Sequence, residues 1–500
     1  MSERGVIWLV PPVIAGIITF IILRRGNSRN LSLALASGTA IAFIVLFLET
    51  AIRRIGYPFE LEWLEGVLAL QAERISSGQN PYPLPSAGFM PLNYPPFFQA
   101  LGAPLISAGL SPLFSLRLIS LASAICWMAL SGIIVGKATS DRAWGIVAAG
   151  MYASAYASVG AWYDLARVDS LWVLLVGVAL ALVWNNYSSR RAALSCVALI
   201  ASLFCKQPSI LFVFPITAAI ALKSRKAAWW YFVSTLAGLM LGAALIEAVT
   251  HYYTFYTIAT VKGSPWLFDQ FISRWGYAVK RFPFEILLGL IAVRGVIREK
   301  RPLNELRLSG GGVMAAIIAT ASMFMKKGAY PNDVMITLAL GILFVFTVLK
   351  PRPAFAILAI VAMMSHFYLP GRAMVPTATD AQAGRRFIEQ LKSMPRPFFL
   401  PSHPYYAWLA GERETPNLMS LQVNKYVTGK YPQALMANIE EKRYRVIILD
   451  YPMNFAKDEL LDSINRNYAL SGNIFDHSDD STFWTVAGWK TRPSFLYLPR

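Results

Sequence analysis

Apolar residues run through this chain in long stretches separated by short polar turns. A helix needs about 20 mostly apolar residues to cross a bilayer, with a tolerated range of about 17–25. Stretches close to that length fall at roughly 6–23, 31–52, 115–136, 143–160, 168–185, 192–205, 208–222, 228–250, 283–297, 310–325, 333–349 and 354–370. They predict a mainly α, polytopic membrane protein of about eleven to thirteen spans. The stretches at 192–205 and 208–222 are short, and predict a tight hairpin with Lys206, Gln207 and Pro208 at its tip. The stretch at 6–23 follows one arginine and lacks a small-residue cleavage site, so it is expected to stay as a first helix.

The pattern changes after residue 370. Charges of both signs become frequent, and apolar residues come in shorter clusters. Asp380–Met394 reads as a helix with Thr379 or Asp380 as its N-cap. Arg396–Leu400, Tyr444–Asp450 and Phe483–Ala487 read as strands, and Pro432–Glu441 and Ala456–Asn465 as helices. Strands alternating with helices predict a small α/β domain over 371–500, following a transmembrane domain over 1–370.

Charge then orients the chain. Alternate connections carry Arg24, Arg25 and Arg29; Lys137 and Arg142; Arg190 and Arg191; Lys223, Arg225 and Lys226; Arg298, Lys300, Arg301 and Arg307; and Lys350 and Arg352. Basic loops stay in the cytoplasm. All the long connections then lie outside: 53–114, 251–282 and everything after 370. Loops longer than about 12–15 residues without structure of their own are usually functional. The expected location is a cell membrane, with these long parts extracytoplasmic.

Composition agrees with a lipid-covered protein, at 56% hydrophobic and 15% charged residues. The net charge of +18 resides mostly in the short loops, which argues for topology and against nucleic-acid binding. The three cysteines lie within apolar runs and the four histidines stand far apart in sequence, so neither predicts a disulfide framework or a metal cluster.

Candidate chemistry concentrates in the first long connection. Leu61, Leu64, Val67, Leu68, Ala72 and Ile75 recur at helical spacing and predict an amphipathic helix on the membrane surface, ended by Gly78. Glu62 and Glu65 fall on its other face. Two readings stand for them: a general base that takes the proton of an attacking hydroxyl, or a solvated polar face. Cations also occur at outer helix ends, against the topological trend: Arg167 (near Asp169), Lys206, Lys326 and Lys327. A phosphate leaving group needs such partners as its charge grows. They could equally reach out to lipid headgroups, and Arg167 could simply pair with Asp169. The second long connection is rich in aromatic residues, which suits sugar stacking or an interfacial belt.

These residues resemble the GT-C superfamily of membrane glycosyltransferases, which includes protein mannosyltransferases and the aminoarabinose transferases of lipid A. The resemblance rests on Glu62-Trp63-Leu64-Glu65-Gly66, Gly78-Gln79-Asn80-Pro81-Tyr82 and Tyr94-Pro95-Pro96. It extends to Arg167-Val168-Asp169-Ser170-Leu171-Trp172, the Lys206-Gln207 hairpin and Lys327-Gly328-Ala329-Tyr330-Pro331-Asn332. It covers most of 31–370. A literal Asp-Glu pair is lacking; the acids are Glu60, Glu62 and Glu65, and the spacing from Glu62 to Gly78 fits best. The resemblance implies a polyprenyl-phosphate sugar donor and a glycan, lipid or protein acceptor. It implies catalytic Glu62, Glu65 or Glu60, and substrate contacts from Arg167, Asp169, Lys206, Gln207, Lys327, Asn332 and Tyr94. Some relatives use a divalent cation, and the three glutamates could hold one. The rival expectations are a non-catalytic receptor or assembly factor, a transporter of lipid-linked or envelope glycan, and a polymer ligase with a lipid-diphosphate donor.

Overall fold

The computed structural model describes residues 31–184, 188–299, 303–349, 353–371, 373–452, 458–475 and 481–500. The expected helix at 6–23 lies outside them, as do Arg24, Arg25, Arg29, Lys300, Arg301, Lys350, Arg352 and His477.

Every other expected span overlaps a helix, although the helices within 143–160 and 354–370 end early, at Ser154 and Ser365. Among the described residues four helices are long and apolar enough to cross a membrane: Leu31–Ile55 (α1), Pro112–Thr139, Arg225–Thr250 and Pro331–Val348. Shorter apolar helices cover Phe97–Ser107, Asp169–Val183, Gln207–Ala221, Leu308–Phe324 and Phe355–Ser365. The Arg225–Thr250 helix leaves Trp229, Trp230, Leu241 and Val249 exposed, as befits a helix turned toward lipid. Elsewhere small residues bring helices together. A methyl added at Gly150 would lie 2.2 Å from Ala40 on α1, and one at Gly145 would lie 2.2 Å from the Gly132 carbonyl oxygen. The span at 283–297 contains Glu285, which is half-hidden against His366 Nε2 at 3.0 Å.

The first long connection departs from its expected form. Its helix (α2) runs only over Glu65–Ser76. Glu60 and Glu62 precede it in a folded-back turn, because the Glu65 carboxylate accepts the Leu61 backbone N–H at 2.7 Å. Every residue from Glu65 to Ala72 is buried, so Glu62 and Glu65 do not share a solvated face. Gly78, at φ +69°, closes the helix as expected; the left-handed region is open to glycine without steric cost.

The C-terminal unit carries a four-stranded mixed sheet in the order β1-β2-β4-β3. Strand β1 (Phe398–Phe399) pairs in parallel with β2 (Val446–Leu449). Strand β4 (Phe495–Pro499) runs antiparallel to β2 and to β3 (Tyr468–Asn473). The helices at Ala378–Ser393, Gln433–Glu440 and Glu459–Asn467 match three expectations within a few residues. The N-cap of the first is Thr377, not Thr379 or Asp380. Asp380 instead serves as the third helical residue of a capping box, its carboxylate accepting the Thr377 N–H at 2.7 Å. The expected strand at Phe483–Ala487 is a loop. It packs against the first long connection instead of a sheet edge: the Val486 and Ala487 N–H groups both donate to the Leu61 carbonyl, at 3.0 and 2.9 Å.

The C-terminal unit and the first connection fit closely. A methyl at Gly66 would come within 1.9 Å of Glu60 Oε1 and 2.5 Å of Tyr405 Cβ. One at Gly384 would come within 2.3 Å of the Phe59 ring. Only glycine permits either approach.

Candidate active site

Side chains from four connections meet beneath the C-terminal unit. The connections that hold Glu62, Arg167, Lys206 and Asp333 therefore share one face of the helical body.

Glu62 is buried at 2% exposure. Its Oε2 accepts from Arg167 Nη1 at 3.3 Å and from the Leu64 N–H at 3.2 Å. Arg167 Nη2 reaches the Tyr94 hydroxyl at 3.2 Å, and the guanidinium lies over the rings of Tyr94 and Trp162 at 5.6 and 5.4 Å. Its Nε has no hydrogen-bond partner among the described residues. A buried donor left unpaired costs about 1–3 kcal/mol, so this one stands ready for an acceptor. Burial raises the Glu62 pKa to about 7, against the lowering effect of Arg167.

A second cluster adjoins the first through Trp162, whose Nε1 donates to Asp169 Oδ2 at 2.9 Å. Lys206 Nζ lies 2.7 Å from Asp169 Oδ1 and 3.4 Å from Asp333 Oδ1. Asn332 Nδ2 donates to Asp169 Oδ1 at 3.1 Å. Arg167 and Asp169 thus take different partners instead of pairing with each other. Two carboxylates already compensate the Lys206 charge. The Arg167 Nε thus stands without a hydrogen-bond partner among the described residues, whereas the Lys206 Nζ faces two carboxylates. Gln207 at the hairpin tip ties two connections together, donating to the Asn93 and Thr257 carbonyls at 2.5 and 3.1 Å.

The remaining expected residues have other places. Lys327 is exposed, and its Nζ contacts the Tyr426 hydroxyl of the C-terminal unit. It does not join the buried clusters, because its position follows the last turn of the Leu303–Phe324 helix and points across to that unit. Glu65 is fully buried against Arg117, with Nη2 at 2.6 Å and Nε at 3.0 Å, and also accepts the Ala166 N–H at 2.7 Å. Arg117 and these N–H donors outweigh burial and lower the Glu65 pKa, which makes it a weak base. Glu60 faces His403 of the C-terminal unit. The three glutamates point to three different partners and hold no common centre. Among the described residues no three His, Cys, Asp or Glu side chains stand as a metal-holding group.

Sequence reasoning did not find Arg117, Trp162, Asp333, His403 or Asp450. Arg117 carried a signal: a lone cation inside an apolar stretch, which is rare unless partnered. His403 and Asp450 carried none, since their partners are remote in sequence.

No protein-family profile and no curated protein matches the sequence. Solved structures do match the fold. The crystal structure of ArnT from Cupriavidus metallidurans bound to undecaprenyl phosphate aligns at a TM-score of 0.53 and 13% identity, covering 83% of this chain and 93% of that one. ArnT in the apo state aligns at 0.52 and 11%, covering 92% and 98%. The chain has an ArnT-like fold. The likeness spans the helical body and the C-terminal unit alike, and it agrees with the GT-C resemblance of the sequence. At this identity the ArnT likeness speaks for architecture, and the chemistry rests on the residues above.

Proposed function

We propose that this protein is a membrane glycosyltransferase that moves a sugar from a polyprenyl-phosphate donor to a hydroxyl of a glycan, lipid or protein acceptor. The observation that carries this reading is the buried Glu62–Arg167 pair, in which a carboxylate that titrates near neutrality touches a guanidinium with an unused donor. The ArnT-like fold supports it, since a solved relative binds undecaprenyl phosphate. Residues 1–370 form the transferase body and 371–500 an extracytoplasmic domain, with connection 53–114 carrying the base. The sorting of basic residues among the connections supports a site on the outer side of a cell membrane.

The reaction is a direct displacement. The acceptor oxygen attacks the anomeric carbon while Glu62 takes its proton. The bond from that carbon to the phosphate oxygen breaks, and the polyprenyl phosphate leaves with the electron pair. Arg167 stabilises the charge that grows on it, and Tyr94 holds the guanidinium in place. Attack from the opposite side inverts the anomeric centre.

The test compares purified wild type with Glu62→Gln, using radiolabelled polyprenyl-phosphate sugars and a cell-envelope extract as acceptor. Transfer by wild type that the folded variant loses supports the reading. Transfer by both removes Glu62 from the role. No transfer by wild type across the donor panel overturns the assignment and favours a receptor or a transporter.

A further inference from the structure

The turn that carries Glu62 is held from outside. His403 is fully buried. Its Nδ1 faces the Glu60 carboxylate, and its Nε2 lies 3.0 Å from Asp450 Oδ2. Its ring stacks on Tyr406 at 5.0 Å and 10°, and the Tyr406 hydroxyl accepts the Glu60 N–H at 3.2 Å. His403 follows β1 and Asp450 follows β2, and these strands pair in parallel. The two clamp residues therefore leave adjacent strand ends of one sheet, which gives them a rigid base.

The other side of the same turn is held as well. The Val486 and Ala487 N–H groups grip the Leu61 carbonyl. Gly488 follows them, and a methyl there would lie 2.6 Å from Glu62 Cγ. The Gly488 carbonyl accepts from the Tyr330 hydroxyl at 2.7 Å, and the Tyr330 ring lies against Trp162. Glu60, Leu61 and Glu62 are thus fixed in succession by the C-terminal unit.

We propose that the C-terminal unit completes the catalytic centre, with His403 as the positioning residue that fixes the Glu60–Glu62 turn. The inference rests on Glu62 as the base. His403 does not touch Glu62; it acts through Glu60 and the backbone between them. Against the lowering effect of burial, its two carboxylate neighbours push its pKa up to about 10. Loss of the clamp loosens the Glu60 end of the turn while the Leu61 and Glu62 contacts remain, and a misplacement near 1 Å costs on the order of 100-fold in rate.

The experiment uses the purified full chain in lipid nanodiscs, with His403→Gln and Asp450→Asn. Two readouts are taken: amide hydrogen exchange over residues 59–66, and kcat and KM for a polyprenyl-phosphate sugar. The expected result for His403→Gln is faster exchange in that turn alone, and kcat lower by on the order of 10–100-fold with donor KM within about twofold. Asp450→Asn should give a smaller change in the same direction, and Asp450→Glu should recover part of it. Should His403→Gln fail to fold, Asp450→Asn decides, with the same split expected because the clamp loses one of its two carboxylates. Exchange and kcat both unchanged in a folded variant overturn the proposal. The exchange readout does not depend on transfer, so wild type without activity would sink the function while leaving the clamp to be judged by exchange.

Discussion

Arg117 and Glu65 form a two-pronged pair with no exposure to solvent, Nη2 and Nε standing 2.6 and 3.0 Å from the two carboxylate oxygens. Arg117 also donates to the Tyr57 and Phe59 carbonyls at 2.6 and 2.7 Å, so one cation organises the whole entry to α2. Removing one partner of such a pair costs about 3–5 kcal/mol, while replacing both by apolar groups of similar volume is often near neutral. Arg117→Met is expected to lower the unfolding midpoint of the purified protein sharply. The double variant Arg117→Met with Glu65→Leu should recover part of that loss, short of the full amount because the Ala166 and Leu61 N–H groups lose their acceptor. Thermal unfolding in one detergent checks both.

Glu62 titrates near pH 7, and a base works only when deprotonated. Transfer measured as kcat/KM is therefore expected to rise with pH through about 7 and to level off above it. Glu62→Gln should lower the rate by about 10²–10⁴-fold and abolish that limb. A limb that survives in the variant would belong to another group.

Arg167 and Lys206 should fail differently when replaced. Arg167→Met is expected to weaken binding of polyprenyl phosphate, because the unused Nε donor is lost. Lys206→Met leaves Asp169 and Asp333 buried without their cation, so its main effect should be on folding, by about 3–5 kcal/mol. Binding of labelled polyprenyl phosphate and thermal unfolding, measured on both variants, separate the two roles.

Gly66→Ala tests the fit between α2 and the C-terminal unit. Its methyl would collide with both Glu60 Oε1 and Tyr405 Cβ, so each of them or α2 itself must shift. Limited proteolysis should cut the variant between residues 371 and 452 at protease levels that leave wild type intact.

Much of the helical body was legible in the sequence because lipid imposes one dominant rule, an apolar run of fixed length. The charged residues Glu62, Arg167, Asp169 and Lys206 stood out in the sequence because charge beside apolar stretches is costly and therefore conspicuous, and the structure buries all four. Their pairing was not legible, since Arg167 chose Glu62 over the nearby Asp169 only once distant connections met. The loop at Phe483–Ala487 has the composition of a strand, yet its N–H groups found an acceptor in Leu61 outside any sheet. Lys327 looked like Lys206 in sequence but lies on the exposed side of its turn, where Tyr426 takes it.

The grip of Val486 and Ala487 on Leu61 also orders events in the making of the protein. The turn bearing Glu62 emerges from the ribosome early, while the segment that fixes it emerges only after the helical body and most of the sheet. Until then the turn has its contacts to Arg167 and Glu65 but lacks the two N–H groups that hold the Leu61 carbonyl. The turn is thus completed last, and a chain truncated before residue 486 would lack the contacts that fix the Leu61 carbonyl beside Glu62.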